Sequence, residues 1–582
     1  MKRALTFLLV LLIAVGGLCY AVDTAIRTLL AAGIQKIQDE KDASLASWEY
    51  DSFSRRLVLH DVRYPFPEKS ITLTAQEVQA TVSLRAALHA LPVLDFLLSP
   101  QSYLTLLDDW QGTGFSCEQA SPNGEQARLT IARLEGAGLA ISGEQFKKIR
   151  KGPKDPWEAL SHLAVASLLL DKPEMSWTLR QEPSLRLRLD KGVLEKWDTQ
   201  GRIHSIRLEK CAIQEDNKPA VQLGSLTITS LMTRTLAKLG SLNDAARTWD
   251  AFIEDIPFAS LAVTDMDMRR PGEMYTLSGF EIARAEEARR LKRLSFQKML
   301  LEGKNAHDTA SIRLDECEVR DLALPDSAQA AELRRAAKDP QLLGHLLASK
   351  GPDKPLFSRA LFKNLSVQNN DMTIALELLD NSWTQEQDTQ TITGTMTNLL
   401  VPKSVFLKSS PRPVALPGLK EFRFNASATQ TFSGKASHMK GNIVADSLCD
   451  LDYSYEMQGK SVLGPWTALR HLDIRLTDKG LMPILACNIN KDPAAAQMGM
   501  DALTQMVAAN LPNGETLLPP LRKFVANPGE LKIGITGDEW IPVQTNNPLW
   551  LLQAVTRLRI ESTPGKSSLA DLVKAQLEKA GN

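Results

Sequence analysis

Two pairs of carboxylates stand at strand spacing in this 582-residue chain, Asp265 with Asp267 and Asp450 with Asp452. Alternate residues of a strand share a face about 7 Å apart. Such a pair can hold a calcium ion or divide general acid and base work, although most carboxylates in this arrangement are simply solvated. The histidines, His60, His89, His162, His204, His307, His345, His438 and His471, are too far apart for a helical zinc site: none lies within four residues of another. No G-x-S-x-G nucleophile elbow occurs. Gly112-Thr113-Gly114 lacks the third glycine of a dinucleotide fingerprint. Gly565-Lys566-Ser567 has Ile560 where a phosphate loop needs its first glycine, so this stretch reads as a helix start with a serine cap. Five cysteines follow the N-terminal segment, Cys117, Cys211, Cys317, Cys449 and Cys487, an odd set without C-x-x-C. They form no disulfide framework or ligand pattern, and Cys449 and Cys487 are the one pair that could bridge neighbouring strands. These patterns yield no catalytic residue, no metal ligand and no cofactor.

Composition narrows the class further. Lys+Arg and Asp+Glu both number 68, giving zero formal charge, whereas nucleic-acid binders carry a basic excess or stripe, so no nucleic-acid partner is expected. The length exceeds the roughly 250–300 residues at which one core stops growing, which requires several domains or an elongated, repetitive body. After Met1-Lys2-Arg3, residues Ala4 to Val22 carry no charge. As a helix they reach about 28 Å, enough to cross a bilayer core. The leading positive charges place the N-terminus in the cytoplasm and the rest across the membrane. Cys19-Tyr20-Ala21 offers a cleavage site, so a secreted body is the alternative. Residues 23–45 continue as an amphipathic helix carrying Ile26, Leu29, Leu30, Ile34 and Ile37.

The elements that would position any site are mostly strands. SITLTAQEVQATVSL alternates Ile71, Leu73, Ala75 and then, after a one-residue slip that reads as a bulge, Val78, Ala80, Val82 and Leu84. Ile71, Leu73, Val78, Ala80, Val82 and Leu84 form the candidate apolar face. The same period recurs at 175–179, 185–189, 226–228, 422–428, 472–476 and 531–535, with Arg186 and Arg188 pointing away. One wet face per strand argues for antiparallel or repeat-type one-sided sheets. Helices are expected from Asp155-Pro156 through PWEALSHLAVASLLL, over 330–347, 493–511 and 548–558, and around Leu569 to Leu577. The resulting fold class is α+β and β-rich, with a transmembrane helix at 1–22, an amphipathic helix at 23–45, a repeat-like β region over 46–350, a second β domain over 351–545 and a helical segment at 546–582. The ten tryptophans are dispersed as core residues are, while Trp48 and Tyr50 could meet the bilayer interface.

A short unit recurs: apolar residues, a polar pair, then apolar residues again. It is found in LVLHDVRY (57–64), RLEGAGLAI (133–141), RLEKCAI (207–213), LSFQKMLL (294–301), RLDECEV (313–319) and ALFKNLSV (360–367), at irregular intervals. With a single N-terminal anchor and units such as LVLHDVRYPFPEKSITLTAQEVQATVSL, residues 1–230 resemble the AsmA-type envelope proteins of Gram-negative bacteria. The resemblance implies an inner-membrane anchor, a periplasmic body whose apolar sheet faces line a groove, and lipids or envelope proteins as partners. It supplies no catalytic residue. The C-terminal stretch from LRHLDIRLTDKGLMPILACNI onward departs from this style. The expected function is binding, as an assembly scaffold or by lipid handling along an apolar sheet face. The alternatives are an exported glycan-acting hydrolase with carboxylates about 5–9 Å apart and a passive structural or adhesive protein.

Overall fold

The structure is a computed structural model. It describes scattered positions between 24 and 39 and most of the chain from residue 43 on. Outside the description lie 67–69, 86–102, 121–125, 143–162, 179–183, 236–244, 305–308, 337–355, 406–415, 460–465, 544–548 and a few shorter gaps. Residues 4–22 lie outside it too, and among the described residues no helix is long and apolar enough to cross a membrane. Two compact units divide the chain, Met1–Pro271 with Ser278–Arg284, and Gly272–Leu277 with Ala285–Asn582.

Unit 1 is an antiparallel meander. β1 (Ser47–Asp51), β2 (Arg56–Phe66), β3 (Ile71–Val82), β4 (Tyr103–Ala120) and β5 (Gln126–Ser142) each pair with their predecessor. The first turn is set by the Asp51 carboxylate, which accepts from the backbone N–H of Phe53 at 3.0 Å and from the Ser54 hydroxyl at 2.6 Å. Broken strands fill the next two places. β6 (Leu163–Asp171) and β7 (Glu174–Thr178) run end to end along β5, while β8 (Leu185–Arg188) and β9 (Lys191–Trp197) do so along β10 (Arg202–Glu215). β11 (Lys218–Met232) and β12 (Ser260–Arg270) follow, joined through a connection that includes α1 (Ala245–Glu254). The described positions between 24 and 39 are helical, and Leu30 packs with Trp48, Leu57 and Val82 around Tyr50. Tyr50 is therefore buried beneath Arg27, whose guanidinium sits 5.6 Å from its ring, rather than offered to a bilayer surface.

While 155–162 lie outside the described residues, the helix expected from Asp155 onward is corrected over 163–170 by β6. Its LAVASLLLD run fits a period of 3.6 or of 2 equally well over so short a length. Ladder partners on both sides, β5 and β9, resolve the ambiguity in favour of the strand.

β13 (Glu273–Arg284) is divided between the units. In unit 2, β14 (Arg290–Lys304), β15 (Thr309–Ala323), β16 (Arg359–Asn369), β17 (Met372–Glu386), β18 (Thr389–Pro402), β19 (Glu421–Ser433), β20 (Ala436–Ala445), β21 (Cys449–Gly459), β22 (Trp466–Asp478) and β23 (Glu530–Ile535) continue the antiparallel pattern. β24 (Ile541–Pro542) adds to β22, and β25 (Leu558–Thr563) adds to β23. α2 (Ser327–Ala336) falls within the expected 330–347 region, whose remainder is outside the description.

Three helices connect β22 to β23: α3 (Leu481–Ile489), α4 (Pro493–Ala509) and α5 (Gly514–Ala526); α6 (Leu549–Thr556) and α7 (Leu569–Gly581) close the chain. Asp492 caps α4 by accepting from the Ala495 N–H at 2.8 Å, with proline at the first helical position. Ser568 caps α7, accepting from the Asp571 N–H and donating to its carboxylate. Met482, Cys487, Phe524, Val525, Leu569 and Val573 bury one side of Leu531, with Leu476, Ile533 and Ile560 packed alongside. Cys449 belongs to a separate cluster with Phe422, Ala445 and Ile484. Both Cys449 and Cys487 are free thiols, so the bridge between them is not formed.

Candidate functional site

Directly opposed residues of antiparallel strands lie on the same face, so the ladders can be followed as rows across each sheet. In unit 1 one row runs Leu59, Val78, Gly112, Leu134, Leu170, Gly192, Leu208, Leu226, Val263. The adjacent row on that face runs Leu57, Ala80, Trp110, Gly136, Leu168, Leu194, Ile206, Ile228, Leu261. Neither contains a polar side chain. A row on the opposite face runs Arg56, Thr81, Asp109, Ala137, Ser167, Glu195, Ser205, Thr229, Ser260, polar at all positions but one.

Unit 2 repeats the division. Phe296, Cys317, Phe362, Leu379, Met396, Ala426, Ile443, Leu451, Leu476 and Leu531 make one unbroken apolar row. The polar face carries Glu318, buried at 5 % exposure between Arg293 at 2.8 Å and Arg320 at 2.9 Å. Burial alone would push this carboxyl up, but the two guanidiniums hold it below the usual range. The Arg359–Asp380 and Lys363–Glu316 pairs, both at 2.6 Å, share that face.

Coverage of the apolar face differs along unit 2. Where the C-terminal helices lie on it, Leu531 is 6 % exposed. Away from them Leu294, Phe296, Phe362, Leu379 and Met396 stay half-buried, as do Leu59, Leu134, Leu168, Leu170, Leu208 and Leu226 in unit 1. These leucines are in a sheet yet keep a share of their surface in water.

The recurring sequence unit has a backbone meaning. Asp61, Gly114, Lys172, Lys210 and Asp265 all take left-handed conformations, φ between 47° and 60°, each two residues beyond the Leu59–Val263 row. They fall on every second strand of that row. In unit 2 Lys298, Asn364 and Asn398 do the same beside the Phe296 row, with φ of 49–52°. Each interrupts the ladder for one step and kinks its strand. The kink shifts the alternation by one, so Ile206 and Leu208 before it share a face with Cys211 and Ile213 after it. The slip in β3 lies opposite the Asp61 kink, since His60 pairs with Glu77 and Val62 with Ala75.

Of the candidate face, Ile71, Leu73, Val78, Ala80 and Val82 lie on β3 within this apolar surface, while Leu84 falls beyond the strand end and is 54 % exposed. Of the two carboxylate pairs, Asp450 and Asp452 keep one face of β21, while Asp265 and Asp267 do not share a face. Asp265 sits at a kink, out of alternation with Asp267, and Asp267 is held by Arg269 through Nε at 3.0 Å and Nη2 at 2.8 Å. That bond keeps its carboxyl below the usual range. Asp450 is paired with Lys479 at 2.6 Å. Among the described residues no three potential metal ligands gather. Burial pushes the Cys211 and Cys317 thiols up, which leaves them protonated members of the apolar rows. The polar face has a concavity of about 850 Å³ over β19–β22, with Lys440, Asp452, Asp473 and Arg475 on its lining. Arg475 is engaged by Glu530 at 2.7 Å.

No protein-family model matches this chain, and no curated protein sequence matches it.

Proposed function

We propose that this chain is a membrane-anchored envelope protein of the AsmA type, facing the periplasm and acting by binding acyl chains along the apolar face of its sheets. The observation that carries the reading is the pair of nine-position rows in unit 1 that hold no polar side chain while their leucines remain half-exposed. Burial of apolar surface releases about 25 cal/mol per Å². A single acyl chain laid across such rows, with every methylene removed from water at about 0.8 kcal/mol each, would be held without any covalent step. The alternating charges of the opposite face keep that side in water.

The test is native mass spectrometry with lipid extraction on the full chain purified from the envelope of an expressing Gram-negative cell. Stoichiometric co-purifying phospholipid is expected. Leu208→Glu with Leu226→Glu should abolish it, and Ser205→Glu with Thr227→Glu, on the other face, should not. A lipid-free wild-type protein, or equal loss from both double variants, would overturn the acyl-binding reading.

A further inference from the structure

A helix lying on a protein surface ordinarily turns its polar residues to water and its large apolar ones inward. In unit 2, α4 does the reverse. Its fully buried side chains are Ala496 and Ala508, with Met500 packed alongside. Gly499 receives α3, since a Cβ there would stand 2.5 Å from the Ile489 Cγ2. Outward point Met498, 66 % exposed, and Met506, 57 % exposed, together with Leu503 and Val507. Asp501 is the only charge among the seventeen residues of the helix. Leu485 and Ile489 of α3 are exposed beside it. These six side chains leave on the order of 500 Å² of apolar surface in water, the upper end of what a soluble monomer shows in one patch. With the exposed Ala494, Ala502, Gln505, Ala509 and Asn510 the face reaches about 800 Å², the share of one partner in a standard protein–protein interface.

The spacing along α4 decides what fits this face. Ala494, Met498, Ala502 and Met506 stand four apart and are all exposed, so they form one ridge in which small and large side chains alternate. Against a second copy running in the opposite direction, Met498 meets the partner's Ala502 and Met506 meets the partner's Ala494, each contact occurring twice by symmetry. A shift by one step of the ridge, or a parallel arrangement, would set methionine on methionine. The antiparallel order also brings the positive N-terminal end of each helix beside the negative C-terminal end of the other. Asp501 lies off the ridge, and α4 carries no Lys or Arg that would draw it to an anionic bilayer. We propose that the outer face of α4 is a homodimer interface, in which two copies of this chain pack antiparallel through Ala494, Met498, Ala502 and Met506. The association is independent of what the sheet faces bind.

Two measurements on the full chain test the interface. Ala494→Cys with Met506→Cys places two thiols about 18 Å apart along one helix but side by side across the dimer. A bismaleimide too short to span them within one chain should therefore give a two-chain band on a denaturing gel when added to the expressing cells' envelope. Either single variant should give no more of that band than wild type. In density-matched detergent, sedimentation equilibrium should return the two-chain mass for wild type. Met498→Glu with Met506→Glu should weaken association at least tenfold and leave the circular dichroism unchanged, because both side chains already stand in water in the single chain. A monomeric wild type, a dimer that survives the double glutamate variant, or a single cysteine variant that cross-links as well as the pair overturns the proposal. A cross-linked band heavier than one chain but not two also overturns it and gives the face to a different protein.

Discussion

Single residues show how tightly the two faces are specified. Gly136 lies in an apolar row beside Trp110, and a Cβ there would overlap the indole ring. Gly136→Ala should therefore displace the ring, cost about 1–3 kcal/mol in urea unfolding and shift tryptophan emission. On the polar face, Glu318 is ionised between Arg293 and Arg320 with its affinity for protons lowered. A depressed carboxyl contributes stability above its unfolded pKa and loses it as pH falls through the folded value. Glu318→Gln should thus cost about 1–2 kcal/mol at pH 7, and the gap to wild type should close as the pH drops below the ordinary carboxylate range. A gap that stays constant with pH would show that the pair contributes no charge-dependent stability. The sequence marks Glu318 only as one member of RLDECEV. Its burial depends on Arg293 from the neighbouring strand, and no local pattern reports that.

At the level of the elements, the kinked strand is the recurring part. Its apolar alternation and one-residue slip are legible in RLEKCAI, LSFQKMLL and ALFKNLSV, because the slip is what keeps one face apolar past the kink. The left-handed backbone behind it is not. Asn364 and Asp61 are types that tolerate positive φ, but Lys172, Lys210 and Lys298 carry no such signal. Lys298→Gly should be neutral or slightly stabilising, whereas Lys298→Val, a β-branched residue at φ 49°, should lose about 1–3 kcal/mol. Equal effects of the two would mean that the conformation is unstrained. The C-terminal helices were more readable, since their caps are local: Asp492-Pro493 and Ser568-x-x-Asp571 announce α4 and α7. Ser568→Ala should cost about 1 kcal/mol by thermal unfolding. The strand β6 was misleading for the opposite reason, as its identity comes from partners far along the chain.

Within unit 2, the apolar face passes from a covered end to an open one. Strands β22, β23 and β25 lie under α3, α5 and α7, whereas β14 to β18 keep Phe296, Leu379 and Met396 half-exposed. Local stability follows coverage, so amide hydrogen exchange should be slowest in β22 and β23 and faster in β14–β17. Uniform protection across these strands would indicate that the open end is covered in solution. The rows themselves could not be assembled from the sequence. Gly112 takes its place between Val78 and Leu134, and Gly192 between Leu170 and Leu208, only through register, and register is a long-range property.

The meander also makes length a free variable. A hairpin inserted between two existing strands restores the chain direction, keeps apolar residues opposite apolar residues, and needs no change elsewhere. Each such addition extends the row by two strand spacings, about 10 Å, and brings its own left-handed kinks, as Asp61, Gly114, Lys172, Lys210 and Asp265 alternate with Gly138, Lys196 and Ser230 on strands between them. A protein built in this way can be tailored to the distance it must cover by duplicating a segment of about thirty residues, the size of β10 with β11. The irregular intervals between copies would then record where loops were later enlarged, and not a failure of the repeat.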